Sequence, residues 1–218
     1  MRSERKLKTI VRYEDVAHLS EDGFRYKRRS DTLLREEYAR SSSLAIPNLI
    51  APVLLRKITR NIRSLTFDDM NYELGSEFQN TRSRIAKRLH ALLNNPRLFS
   101  FVESVTGCGP ILHLNGRITW MAPERKHRYL WHSDLVVPSR LVGVSLNLNR
   151  YPCEGGVFQI RNVRKKHTIH ELADPRMGDV HIFAIRPDLE HRVTPVTGVH
   201  PRVSFAGWFE GDPPSRRH

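Results

Sequence analysis

The sequence predicts an α+β fold in which helices come first and brace one face of a β jelly roll that follows. Three observations carry this. Apolar residues between Pro52 and Val105 recur at helical spacing. Beyond Gly109-Pro110 the segments become short and strand-like. Turn residues punctuate that second half at close intervals, which marks a sandwich or barrel, not strands alternating with helices. A chain of 218 residues with 39% hydrophobic residues is expected to form one domain over 1–218, with 1–110 a mainly helical support and 111–209 the jelly-roll core.

Taken in order, residues 1–45 are polar and charged and end at Ser41-Ser42-Ser43, read as a loop. A first helix starts within Ile46-Pro47-Asn48-Leu49-Ile50-Ala51-Pro52, either capped by Asn48 or opened by Pro52. Leu55, Ile58, Ile62 and Leu65 are its apolar stripe. A second helix is expected over 77–94, with Phe78, Ile85, Leu89, Leu92 and Leu93 on one side. A third follows Asn95-Pro96 and stops at Gly107, burying Leu98, Phe101, Val102 and Val105. Strands are expected at 111–121, 127–132, 141–148, 156–161, 179–185, 190–196 and 202–209. The tail from Asp212 to His218 is expected to fray.

Composition excludes several classes. No apolar run approaches the roughly 20 residues a membrane-spanning helix needs. The N-terminus has basic residues without an apolar block behind them, so it reads as no secretory signal, and a cytoplasmic location is the expectation. Cys108 and Cys153 are too few for a disulfide framework and lack metal-binding spacing, so both read as reduced thiols. The charge is unusual: 36 basic against 23 acidic residues, a net +13. Such a field attracts polyanions. Its charges are scattered, however, with small concentrations at Arg2 to Lys8, Lys27 to Arg29 and Arg161 to Lys166, and no nucleic-acid-binding motif accompanies them. Nucleic acid is therefore a partner to test, not the favoured one.

The chemistry concentrates in Tyr129-Leu130-Trp131-His132-Ser133-Asp134. On an extended segment, residues i and i+2 share a face, so His132 and Asp134 can point at one ion. Two histidines and a carboxylate, leaving open positions, form the facial triad of non-haem Fe(II) oxygenases. A lone His-x-Asp also arises by chance on surface strands. The second half of the pattern lies downstream, in Glu190-His191-Arg192-Val193-Thr194-Pro195-Val196 and Arg202-Val203-Ser204-Phe205.

Together these stretches resemble the prolyl-hydroxylase-like branch of the 2-oxoglutarate/Fe(II) oxygenases. Ser145-Leu146-Asn147-Leu148-Asn149, Cys153-Glu154-Gly155-Gly156-Val157-Phe158 and Pro175 through Phe183 are similar to further elements of that family, in the same order. The resemblance covers about 111–209, and more weakly reaches back to the helix after Ile46-Pro47-Asn48. It implies a double-stranded β-helix with Fe(II) held by His132, Asp134 and His191, and 2-oxoglutarate as co-substrate. By the same match Arg202, eleven positions after His191, anchors the distal carboxylate of 2-oxoglutarate. A guanidinium suits that task because its planar fork binds a carboxylate through two bonds. Ser204, two residues on, shares that face and can add a hydroxyl. Many relatives carry Tyr where this chain has Asn147, whose amide can also donate to a carboxylate; a polar residue of a core strand is the competing explanation. Asp134 as a carboxylate separates the chain from related halogenases, which have a small residue there.

The implied activity is oxidation, with hydroxylation first and desaturation, epoxidation or cyclisation as variants, using dioxygen and releasing succinate and CO2. Segments 60–80, 115–130 and 161–175 are expected at the barrel mouth. Their Arg and Asn content favours an anionic or zwitterionic small molecule, such as an amino acid or natural-product intermediate. A protein, carrier-tethered or nucleic-acid substrate is the alternative within the class; a non-enzymatic jelly-roll binding module is the alternative outside it. Among other histidines, His167 and His170 read as parts of a solvated turn and His181 as a structural core residue. Trp131 reads as core, and Arg192 as either substrate contact or surface charge.

Overall fold

A computed structural model describes residues 16–27, 30–173 and 175–212. The first part of the chain carries β1 (Ala17–Ser20), β2 (Gly23–Tyr26), α1 (Asp31–Ser41), β3 (Ser43–Ile46), α2 (Pro52–Ile58), β4 (Asp68–Tyr72), β5 (Gly75–Asn80), α3 (Arg84–Leu93) and α4 (Pro96–Thr106). The second part carries β6 (His113–Met121), β7 (Tyr129–His132), β8 (Arg140–Asn147), β9 (Glu154–Gly155), β10 (Phe158–Asn162), β11 (Thr168–Leu172), β12 (Val180–Ala184), β13 (Leu189–Val193), β14 (Val196–Thr197) and β15 (Arg202–Glu210). The tail beyond Asp212 and the basic run Arg2 to Lys8 lie outside the described residues.

Eleven strands form one antiparallel sheet, in the order β11-β10-β13-β7-β5-β6-β15-β8-β12-β3, with β4 beside β5. The sheet curls into a nearly closed barrel. Between β5 and β7 the only paired position among the described residues is Gly75 opposite Tyr129, so the two halves of the sheet part there and open a mouth. At the far side, the Ser43 hydroxyl of terminal strand β3 lies 2.7 Å from His170 Nε2 of terminal strand β11, tying the two ends together.

Alternation assigns the faces. Along β15, Val203, Phe205 and Phe209 are buried under the helices with Leu114, Ile118, Val142 and Leu146, while Arg202, Ser204, Ala206 and Trp208 face the barrel interior. The helices lie where local signals put them. Asn95 Oδ1 accepts from the Arg97 and Leu98 amides, Pro96 opens α4, and Gly107 ends it at φ 69. Burial of Leu98, Phe101, Val102 and Val105 then docks α4 against the sheet, with Phe99 edge-on to Phe209.

Several expectations are corrected. The helix expected over 77–94 begins only at Arg84, where Ser83 Oγ caps the Ala86 amide; Phe78 belongs to β5, which pairs with β6 and β4. The N-terminal support thus contributes strands as well as helices, since β3 and β5 belong to the main sheet. Asn48 caps nothing and sits in a turn at φ 49; Pro52 opens α2, which ends at Ile58, short of Ile62 and Leu65. The serine cluster splits: Ser42 reverses the chain at φ 60, but Ser41 ends α1 and Ser43 begins β3. His170 lies in β11, not in a solvated turn, and is 2% exposed. Trp131 is not core. It stands half-buried between the guanidinium carbons of Arg161 and Arg192, at 4.3 and 4.5 Å from its ring centre.

Candidate active site

His132 ends β7 and His191 lies directly opposite it on β13, so strand register alone brings the two imidazoles to a centroid distance of 4.3 Å. Ser133 keeps an extended backbone after pairing stops, which preserves the i, i+2 alternation, and a short turn over Asp134–Val136 follows. Asp134 consequently points back at the histidines. Its Oδ2 lies 3.4 Å from His191 Nε2 and its Oδ1 4.0 Å from His132 Nε2. One ligand atom from each of the three lies within 4.8 Å of the others, close enough for one ion to bridge them.

The protonation states fit a metal. His132 Nδ1 donates to the Leu130 carbonyl at 2.7 Å, which leaves the lone pair on Nε2, the atom facing Asp134. Burial pulls His191 down to about 4 despite Asp134, with His132 acting in the same direction as burial. His191 is thus neutral and able to donate a lone pair at neutral pH. Two imidazole nitrogens and one carboxylate are the donor set that suits Fe(II) with open positions.

Around this set lies a network not assigned from the sequence. Trp208 Nε1 donates to Asp134 Oδ2 at 2.7 Å, and Arg140 approaches Oδ1 at 3.5 Å. The Arg140 guanidinium lies 3.4 Å above the centre of the Trp208 ring. The signal for Trp208 was present, since it shares a strand face with Arg202, Ser204 and Ala206. That for Arg140 was not, because only folding stacks it on Trp208.

Arg202 sits deep in the barrel. Gly156, at φ +59, leaves space for its stem; a Cβ there would come within 2.8 Å of Arg202 Cδ. Burial lowers its pKa. Its polar neighbours are Ser204 Oγ at 3.4 Å and Met121 Sδ at 3.9 Å, and no carboxylate lies within ion-pair distance among the described residues. An unpaired inward guanidinium is costly, so this one fits an anionic ligand. Ser204 Oγ also bonds Thr119 Oγ1 at 2.8 Å. Asn147 is held in place: one amide N–H donates to the Pro175 carbonyl and its oxygen accepts the Asn149 amide, which leaves its second N–H.

A cavity of about 610 Å³ connects Arg202 and the triad to the mouth. Segments 72–81 and 115–129 contribute to its wall, as anticipated, whereas 161–175 does not. Arg117 there is held by Glu77 at 2.9 Å. Arg192 points the other way, bonding Gln159 at 2.6 Å, and so is no pocket residue. His127 accepts the Ala122 amide at 3.1 Å in the core. His113 pairs with Glu210 at 3.1 Å.

A jelly roll with a buried His-Asp-His set and a ligand-seeking guanidinium defines a non-haem iron enzyme. Residues 118–210 match the family model described as the 2OG-Fe(II) oxygenase superfamily. The matched segment, 93 of the 218 residues, holds all three triad residues and Arg202, and over it the chain is similar to that superfamily. Its cofactors are Fe(II), held by His132, Asp134 and His191, and 2-oxoglutarate. Among solved structures, a Pseudomonas putida prolyl-4-hydroxylase is similar at TM-score 0.64 and 16% identity, over 84% of this chain and 99% of that one. A Trichoplax adhaerens prolyl hydroxylase in complex with a hypoxia inducible factor peptide gives 0.64 and 16%, over 84% and 89%. The non-heme α-ketoglutarate-dependent epimerase SnoN from nogalamycin biosynthesis gives 0.61 and 14%, over 83% and 82%. At these identities the likeness establishes the fold. No curated protein matches the sequence significantly. No helix among the described residues is long and apolar enough to cross a membrane.

Proposed function

We propose that this chain oxidises, most directly by hydroxylation, an amino acid or small natural-product intermediate of anionic or zwitterionic character, converting 2-oxoglutarate and dioxygen to succinate and CO2. The observation that carries the reading is Arg202, a half-buried, inward guanidinium that has no acidic partner among the described residues and lines the same cavity as the triad. When bound, iron and 2-oxoglutarate supply the oxidising power. The chain's own residues do the rest. Leu130 orients His132, and Trp208 and Arg140 hold Asp134. Arg202, with the Ser204 hydroxyl beside it, fixes the far carboxylate of 2-oxoglutarate. Phe158 and Phe183, whose rings lie 5.5 and 4.8 Å from that of His191, keep water from the inner wall.

The cavity volume lies within the roughly 300–1,000 Å³ typical of small-molecule sites, which supports a small substrate. A specific observation keeps a tethered or macromolecular substrate as the second reading. Tyr72, Leu74, Leu130 and Leu135 are exposed large apolar residues, and Tyr72 and Leu74 also line the cavity. Oxygen-dependent succinate formation, measured with a panel of free amino acids and with carrier-linked ones, tests both. Succinate should form in the wild type and be lost in His132→Ala. Formation that persists in His132→Ala would refute the iron site. Stimulation confined to carrier-linked compounds would shift the substrate to the second reading.

A further inference from the structure

Ser43, His170 and His181 form a buried polar group with no task in the function described above. The Ser43 hydroxyl lies 2.7 Å from His170 Nε2 and 2.9 Å from His181 Nε2. Each of the three is at most 3% exposed. Burial also lowers both histidines' pKa values, so both rings are neutral at physiological pH. A neutral imidazole has one N–H and one lone pair, and a serine hydroxyl has one proton to donate. Ser43 can therefore donate to only one ring and must accept from the other. If it donates to His181 Nε2, His170 Nε2–H donates to Ser43, and the proton of His181 resides on Nδ1. If the order is reversed, His181 Nδ1 is a bare lone pair.

His181 Nδ1 is buried and has no partner among the described residues. The His181 side chain lines a small compartment together with Arg202, Ser204, Ser145 and Asn147. That compartment holds about 20 Å³, room for one small polar group. A lone pair left beside an anion would repel it, whereas an N–H would bind it. Asn147 is held by the backbone through its oxygen and one of its two amide N–H groups, so it has at most one donor left to add.

We infer that His181, with its tautomer set by Ser43, donates Nδ1–H to the far carboxylate of 2-oxoglutarate and completes the site built by Arg202 and Ser204. This rests on the reading of Arg202 as the anchor of that carboxylate. His181 is thereby a co-substrate-binding residue, and Ser43 a positioning residue supplied by the N-terminal strand that closes the barrel.

Two substitutions separate this role from a merely structural one. His181→Asn places an amide nitrogen near the Nδ1 position and gives up the bond to Ser43. His181→Gln reaches toward Ser43 and offers nothing at Nδ1. Anaerobic calorimetric titration of the Fe(II)-loaded enzyme with 2-oxoglutarate should show the Gln variant weakened by about tenfold or more, the loss expected for one hydrogen bond to a charged group. The Asn variant should stay close to wild type, and Ser43→Ala should fall between. 2-Oxobutyrate, which lacks the far carboxylate, should bind the wild type and the Gln variant alike. Nitrogen-15 spectra of the labelled wild type, which need no variant, should report an Nδ1–H ring for His181 whose Nδ1 signal moves when 2-oxoglutarate is added. An Nε2–H ring, or equal affinities for the Asn and Gln variants, would overturn the inference and leave Arg202 as anchor intact. A wild type that binds iron but no 2-oxoglutarate would overturn the Arg202 reading as well.

Discussion

Replacing Trp208 by Phe keeps an aromatic ring beneath Arg140 and removes one hydrogen bond, the 2.7 Å contact from Nε1 to Asp134 Oδ2. That bond has an ionised acceptor that is 7% exposed, so its loss is expected to cost about 1.5–3 kcal/mol. At about 1.4 kcal/mol per factor of ten, this corresponds to roughly 10- to 100-fold in Fe(II) affinity, the range usual for residues that orient metal ligands. The Arg140 contact at 3.5 Å persists and continues to restrain the carboxylate, which places the expected loss near the lower end, about tenfold. Anaerobic titration calorimetry with Fe(II) measures the affinity, and thermal unfolding of the metal-free protein checks that the barrel is intact. Adding Arg140→Met should then cost more in the Trp208→Phe background than in the wild type, because both groups restrain one carboxylate. Wild-type iron affinity in Trp208→Phe would show that Asp134 is held by strand geometry alone, and the bracing role of Trp208 would be wrong.

Three further outcomes are expected. Arg202→Lys keeps the charge but loses the two-pronged geometry, so the concentration of 2-oxoglutarate needed for turnover should rise, and rise further in Arg202→Ala, while iron affinity holds; unchanged dependence in both would make Arg202 structural. His170 titrates near 6.5 unfolded and about 4 folded, so between these values the unfolded chain binds the extra proton. Its contribution is therefore complete above pH 6.5 and lost as the pH falls to 4, on the order of 3 kcal/mol, and urea unfolding should show a shallower acid slope in His170→Gln. The +13 charge should give weak oligonucleotide binding that fades with salt and ignores sequence; tight, sequence-dependent binding in a fluorescence titration would redirect the substrate assignment.

The legible elements are those whose signals are local. Helix α4 could be read from Asn95, Pro96 and Gly107, because a cap, a pre-set φ and a left-handed terminator act within one turn of chain. Most strands of the jelly roll could be read from their turn residues, though β11 could not, and the triad from the short spacing of His132 and Asp134 together with the element around His191. Phe78 misled because it stands seven positions, two helical turns, before Ile85 and so falls on the same helical stripe. Pairing with β4 and β6 decided the matter, and pairing is a property of distant segments.

By itself, then, the sequence determined the α+β order of elements, the metal ligands and the arginine at the end of the pocket, since each is written in residue type and short-range spacing. Tertiary structure alone decided what surrounds them. Trp208 became the partner of Asp134, 74 positions away, and His170 became a buried hydrogen-bonding residue when β3 came round to meet β11. Two arginines covered Trp131, which its place on the face opposite His132 had assigned to the core. Burial and the identity of a hydrogen-bond partner depend on which strands close the barrel, and no window of contiguous residues contains that information.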